Sequence, residues 1–175
     1  MIDFNYYFGF PPIADKRVHR NYQSCMIWEC DDFKIFVNYL GFTKNQGVFV
    51  EVKGFLGCQS LVNFLNSHGW RWSLTRADVA LDFLDDPKKT WDNYHSPVFH
   101  KLQCDLMDYA KQKNISVKTV GDWLYQEESR TLYVGTRGSS SMIRLYTKSL
   151  EQKSKGNDNY PDNVIRLEVE FRPTT

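Results

Sequence analysis

The stretch WSLTRADVALDF, residues 72–83, places Ala77, Val79 and Leu81 on one parity and Arg76, Asp78 and Asp82 on the other. That period of two is the pattern of a β-strand with one buried and one polar face. Four more strand-like runs follow: VKTVGDWLYQ (117–126), RTLYVGTR (130–137), SMIRLYTK (141–148) and VIRLEVEFR (164–172). They are broken by QEES (126–129), GSS (138–140) and SLEQKSKGNDNYPDN (149–163), the last expected as an irregular, mobile loop. On the N-terminal side, SCMIWE (24–29) and FKIFVNYL (33–40) predict a hairpin turning through Cys30, Asp31 and Asp32. GVFVEVKG (47–54) adds a third strand after the turn-like TKNQG.

Two helices are expected between the strands. Residues 59–68 carry Leu61, Val62, Phe64 and Leu65 and are followed at once by Gly69, a helix stop. Residues 97–113 carry Val98, Leu102, Leu106 and Tyr109 at helical spacing, with Pro97 suited to a first turn. The order of elements predicts an α+β fold with a mainly antiparallel sheet and a few helices.

Composition bounds the rest. A chain of 175 residues with 25% charged and 42% hydrophobic residues is expected to form one compact unit, residues 1–175, with its own core. A net charge of +1 excludes a global positive field; any DNA surface must be local. Cys25, Cys30, Cys58 and Cys104 match neither a zinc site nor a C-x-x-C pair and read as free thiols of a cytoplasmic protein. The start, MIDFNYYFGFPP, lacks the basic and apolar regions of a secretory signal, and no apolar run reaches membrane-spanning length, so no membrane is expected as a partner. Trp28, Phe33, Phe36, Tyr39 and Phe49 read as sheet core before they read as platforms for stacked bases. Lys44 and Lys53 fit a solvated face as well as a phosphate contact. GFLGC (54–58) lacks the length and the lysine of a phosphate loop.

Three strand faces concentrate ionisable groups: Arg76, Asp78 and Asp82; Arg144, Tyr146 and Lys148; Arg166, Glu168, Glu170 and Arg172. A solvated sheet face explains such spacing on its own. The mixture points further, to phosphoryl transfer: carboxylates suit a hard cation such as Mg²⁺ or Mn²⁺, arginines match phosphate bidentately, and a tyrosine lies between cations.

The runs TRADVALDF, LYVGTRGSSSMIRLYTKSLEQ and IRLEVEFR, in that order, resemble the Rep_trans family of rolling-circle replication initiators of plasmids and phages, whose relatives include relaxases of integrative elements. The resemblance covers about residues 70–172. It implies a fold similar to the tyrosine, HUH-like endonucleases, and a catalytic domain that nicks and rejoins single-stranded or origin DNA through a 5′-phosphotyrosyl intermediate with a divalent metal. Homodimers and a host helicase are further partners that the resemblance implies. The His-hydrophobe-His motif of the wider group is missing, since His19, His68, His95 and His100 are never so paired.

Carried onto this chain, the resemblance implies Tyr146 as nucleophile, with Tyr133 as its rival. A phenol titrates near about 10, so nearby cations are needed to favour the phenolate. Arg144 and Lys148 share the Tyr146 face, and Arg137 that of Tyr133. Asp78 with Glu168 or Glu170 is the expected metal set, and Asp82 an outer carboxylate that orients it. Arg137, Arg144 and Lys148 are the expected phosphate clamps. Arg76, Arg166 and Arg172 join them on the DNA side, or else simply pair with the acids. A conjugative relaxase would use the same chemistry, and a noncatalytic single-stranded nucleic-acid-binding module would use the surface without it.

Overall fold

The computed structural model of the protein describes residues 13–15, 19–29, 33–43, 47–85, 96–121, 123 and 130–173. Where one compact unit was expected, the chain divides into two, Met1–Trp72 and Ser73–Thr175. Each has its own antiparallel sheet, so the α+β expectation holds in both.

In the first unit the strands β1 (Ile13–Asp15), β2 (Tyr22–Glu29), β3 (Lys34–Gly41) and β4 (Phe49–Lys53) lie in chain order. The predicted hairpin is β2–β3; its turn at Cys30–Asp32 lies outside the described residues, as does Lys44. Trp28 stands opposite Ile35, and Met26 opposite Val37, with Val50 and Val52 continuing the face on β4. Helix α1 (Phe55–Ser67) covers that face through Leu61, Phe64 and Leu65. Of the N-terminal aromatics, Trp28 and Phe36 are buried, as the core reading expects.

Helix α1 starts four residues before the predicted Gln59, and GFLGC therefore supplies its first turn. Gly57 lies so close to the sheet that a Cβ there would come within 2.7 Å of the Phe33 Cβ. The helix ends as expected: Gly69 takes φ 63°. Its N–H donates to Asn66 O at 3.2 Å, and the Trp70 N–H donates to Leu65 O at 3.2 Å, the paired bonds of a Schellman stop.

The second unit comprises β5 (Ala77–Leu84), β6 (Val117–Gly121), β7 (Arg130–Val134), β8 (Ser141–Thr147) and β9 (Val164–Phe171), in the sheet order β5-β9-β8-β7-β6. The last strand thus inserts between the first and the fourth. Helix α2 (Pro97–Lys113) has the predicted bounds because both ends are capped. The Ser96 Oγ accepts from the Phe99 N–H at 2.9 Å, Pro97 opens the first turn, and Asn114 closes the last in the left-handed region at φ 51°. Its seam is Phe99, Leu102, Leu106 and Ala110, packed on Leu132, Val134, Leu145 and Ile165. Tyr109, expected in the seam, is exposed. Val79 and Leu81 do share a parity, but they are 54% and 57% exposed. They lie on an edge strand, while α2 contacts β7 and β8. No helix among the described residues is long and apolar enough to cross a membrane. Among those residues Cys25, Cys58 and Cys104 form no disulfide.

The loop expected over 149–163 begins instead as helix α3 (Lys148–Ser154). It has no apolar stripe; tertiary hydrogen bonds hold it. The Ser149 hydroxyl donates to Pro161 O at 2.9 Å and accepts from the Val164 N–H at 2.7 Å. Glu151 pairs with both Lys148 and Lys155. Burial alone would raise the Glu151 carboxyl, but hydrogen bonds from the two lysines outweigh it and bring it down to about 2. A folded value below the ordinary 4.5 means that the stabilisation is complete above that pH and is lost as pH falls towards 2. Glu151→Gln is expected to cost about 1 kcal/mol at neutral pH, discounted for the exposed Lys155. The gap to wild type in urea melts should close at the acid end. A gap independent of pH would mean that this ion pair does not hold α3.

Candidate active site

The polar parities of β5, β8 and β9 all face one side of the second sheet, away from α2, and antiparallel register aligns them in rows. Tyr146 stands opposite Arg166, which stands opposite Asp82. The next row runs Tyr133, Arg144, Glu168, Ala80, and the next Met142, Glu170, Asp78. Directly opposed residues have Cβ atoms about 5 Å apart, and diagonal neighbours remain within reach of long side chains. One strand pleat therefore gathers Tyr133, Tyr146, Arg144, Arg166 and all four predicted carboxylates.

Their contacts form a chain of alternating charge. Arg76 grips Asp78 bidentately, Nε to Oδ1 at 2.8 Å and Nη2 to Oδ2 at 2.5 Å. The same Nη2 lies 2.9 Å from Glu170 Oε2. Glu170 is only 3% exposed, and its other oxygen receives Arg172 Nη2 at 2.7 Å. Arg144 donates to Glu168 Oε1, and its Nη2 is 3.9 Å from Asp78 Oδ2. The buried Nε of Arg144 has no hydrogen-bond partner among the described residues, a donor that an incoming oxygen would satisfy. Arg166 holds Asp82 with two bonds of 2.6 Å. That pairing pulls the Asp82 carboxyl below the usual carboxylate range, and it raises Arg166 in turn.

The Tyr146 hydroxyl donates to Glu168 Oε2 at 3.2 Å. Its pKa is pushed up to about 12, first by burial and then by the Glu168 charge, with Arg166 opposing. Neighbouring cations were expected to favour the phenolate, yet in this arrangement they do not prevail. Arg144 is bound to Glu168 and Lys148 to Glu151, so each cation's field is largely cancelled. Lys148 is also the first residue of α3, not a strand residue; its ammonium lies 5.7 Å from the Tyr146 ring centroid. Arg137 is exposed in the turn after β7, and its carbonyl accepts from Arg172 Nη1. Tyr133 is half-buried opposite Arg144.

Asp78, Glu168 and Glu170 offer oxygen donors only, the set that suits Mg²⁺ or Mn²⁺. Asp78 and Glu170 are register partners, and Glu168 is the next residue on the same face of β9. Among the described residues, however, no three acidic, histidine or cysteine side chains converge as a ready cage. Guanidinium groups stand between them. Spacing had left open whether the arginines face DNA or pair with the acids; Arg76, Arg144, Arg166 and Arg172 pair with them. The role that sequence reading missed is Glu168 as acceptor for Tyr146, which depends on strand register. The pairings with a sequence signal are Arg76 with Asp78 and Arg172 with Glu170, each two apart on one parity.

The family model described as replication initiation factor, Rep_trans, matches residues 72–175. The chain belongs to this family. The matched span of the replication initiation factor coincides with the second unit, Ser73–Thr175, which holds every candidate residue. A "Replication initiation protein" of Staphylococcus aureus is 26% identical over 115 residues, covering 65% of this chain and 29% of that protein. The structure of a rolling circle replication initiator protein from Geobacillus stearothermophilus is similar in fold, with a TM-score of 0.55 and 17% identity over 96% of this chain and 63% of that one. The chain thus spans under a third of the curated relative's length.

Proposed function

We propose that the second unit nicks and rejoins DNA at a replication origin for rolling-circle replication, with Tyr146 as nucleophile. The observation that carries this reading is the Tyr146 hydroxyl donating to Glu168 Oε2 at 3.2 Å, on a face lined with arginines. A phenol is a weak nucleophile until a base takes its proton, and Glu168 is positioned to do so. The phenolic oxygen then bonds to phosphorus and the bond to the 3′ oxygen breaks. The products are a 5′-phosphotyrosyl link and, after that oxygen takes a proton from water, a free 3′-hydroxyl that a polymerase can extend. The buried Nε of Arg144, unpaired among the described residues, is the donor for a phosphate oxygen. Asp78, Glu168 and Glu170 would hold Mg²⁺ or Mn²⁺, with Asp82 outside them; when bound, the ion supplies charge stabilisation at the scissile phosphate.

A noncatalytic single-stranded DNA-binding module is the second reading, favoured by the high Tyr146 pKa. Incubation with labelled single-stranded origin DNA and Mn²⁺, followed by a denaturing gel, separates the two. A slow-migrating covalent adduct is expected. DNA binding without any adduct would leave the binding module as the function.

A further inference from the structure

We propose that Arg76 is a resident stand-in for the metal, a positioning residue that holds Asp78 and Glu170 together until a divalent cation displaces it. This inference rests on the metal reading above and deepens it. Its basis is the location of one nitrogen. Arg76 Nη2 lies 2.5 Å from Asp78 Oδ2 and 2.9 Å from Glu170 Oε2, so a single cationic group bridges two carboxylates on adjacent strands. An oxygen-ligated metal shared by these residues would have to occupy that same gap.

The other arginines do not stand in this relation. Arg172 approaches Glu170 through the opposite oxygen, Oε1, at 2.7 Å. Arg144 bonds Glu168 and stays 3.9 Å from Asp78. Arg166 is bound to Asp82. Arg76 also has somewhere to go: its side chain is 46% exposed, while that of Glu170 is 4% exposed. Glu170 keeps Arg172 on its other oxygen throughout, so the buried carboxylate stays compensated while the guanidinium of Arg76 moves out into solvent. The exchange also frees a guanidinium beside the metal, where a DNA phosphate would arrive.

The test is Mn²⁺ affinity without DNA, from the free-ion signal in electron paramagnetic resonance, on the full 175-residue chain. Wild type would be compared with Arg76→Ala, Arg76→Lys and Arg172→Ala, each checked for folding by circular dichroism. Arg76→Ala should bind Mn²⁺ about tenfold more tightly or better, the scale of the charged hydrogen bonds it no longer has to break. Arg76→Lys, which keeps the charge but not the fork, should fall between. Arg172→Ala removes a positive charge from the same carboxylate without emptying the gap, so its gain should stay under about threefold. Equal gains in Arg76→Ala and Arg172→Ala would reduce the effect to general electrostatics and overturn the proposal. So would wild-type binding that Arg76→Ala leaves unchanged or weakens, an outcome in which the metal reading survives. If no form takes up Mn²⁺ at millimolar concentration, the metal reading itself fails, and this inference with it.

Discussion

Tyr146→Phe should reduce covalent DNA adduct by at least about 10³-fold, because loss of a nucleophile removes the reacting atom and not merely a contact. Tyr133→Phe should stay within about tenfold of wild type, the range of an effect on orientation. The asymmetry follows from partners. The Tyr146 hydroxyl has a carboxylate acceptor at 3.2 Å, whereas Tyr133 stands opposite Arg144, whose guanidinium is bound to that same carboxylate. Glu168→Gln supplies an independent check. It removes the proton acceptor, yet it also removes the negative charge that helps to hold the Tyr146 phenol near 12. If Glu168 acts as the base, adduct formation falls by about 10²-fold or more despite the easier ionisation. If its charge merely restrains the phenol, the rate rises. Adduct retained in Tyr146→Phe and lost in Tyr133→Phe would move the nucleophile one strand over.

What the sequence made legible here was parity. Asp78 with Asp82, Arg144 with Tyr146, and Glu168 with Glu170 could be placed on common faces because the period of two is a property of the strand backbone alone. Helix α2 was legible for a similar reason: its apolar spacing and Pro97 are local signals, and the caps Ser96 and Asn114, which the structure adds, also act within a turn of their positions. Helix α3 was not, since seven residues with Leu150 alone apolar have no stripe to read and depend on Ser149 reaching Pro161 and Val164. Nor was the sheet order. Arg166 meets Asp82 across 84 positions of chain, and nothing local to either residue specifies the other. Register in turn decides which acid meets which arginine, so a list of correct faces left the pairing open between metal, phosphate and ion pair. The division at Trp72–Ser73 falls within residues 70–76, which form no regular element, and no shift in composition announces it.

Phe99→Ala should be the most damaging single change to the stability of the second unit, at about 3–5 kcal/mol, against a typical total of about 5–15 kcal/mol. Phe99 is fully buried at the start of α2 and packs into the cluster containing Leu132, Leu145 and Ile165. The Arg130 guanidinium lies 4.2 Å from its ring centroid, and Trp123 meets it edge-on at 6.0 Å. Truncation therefore opens a cavity and also removes a cation–π partner worth about 1 kcal/mol. Phe99→Leu, which refills most of the volume, should lose far less. Urea unfolding followed by circular dichroism measures both, and a cost under about 1 kcal/mol for the alanine would mean that α2 does not anchor the sheet. The same variant separates scaffold from chemistry. Leu132 and Leu145 face α2, while Tyr133 and Tyr146, the next residues on the same strands, face the arginines and carboxylates. If α2 supports the pleat without taking part in the reaction, adduct formation per folded molecule should survive in Phe99→Ala at low temperature, within about threefold, while the folded fraction falls. Loss of adduct from a fully folded Phe99→Ala protein would show instead that the seam under α2 sets the geometry of the opposite face.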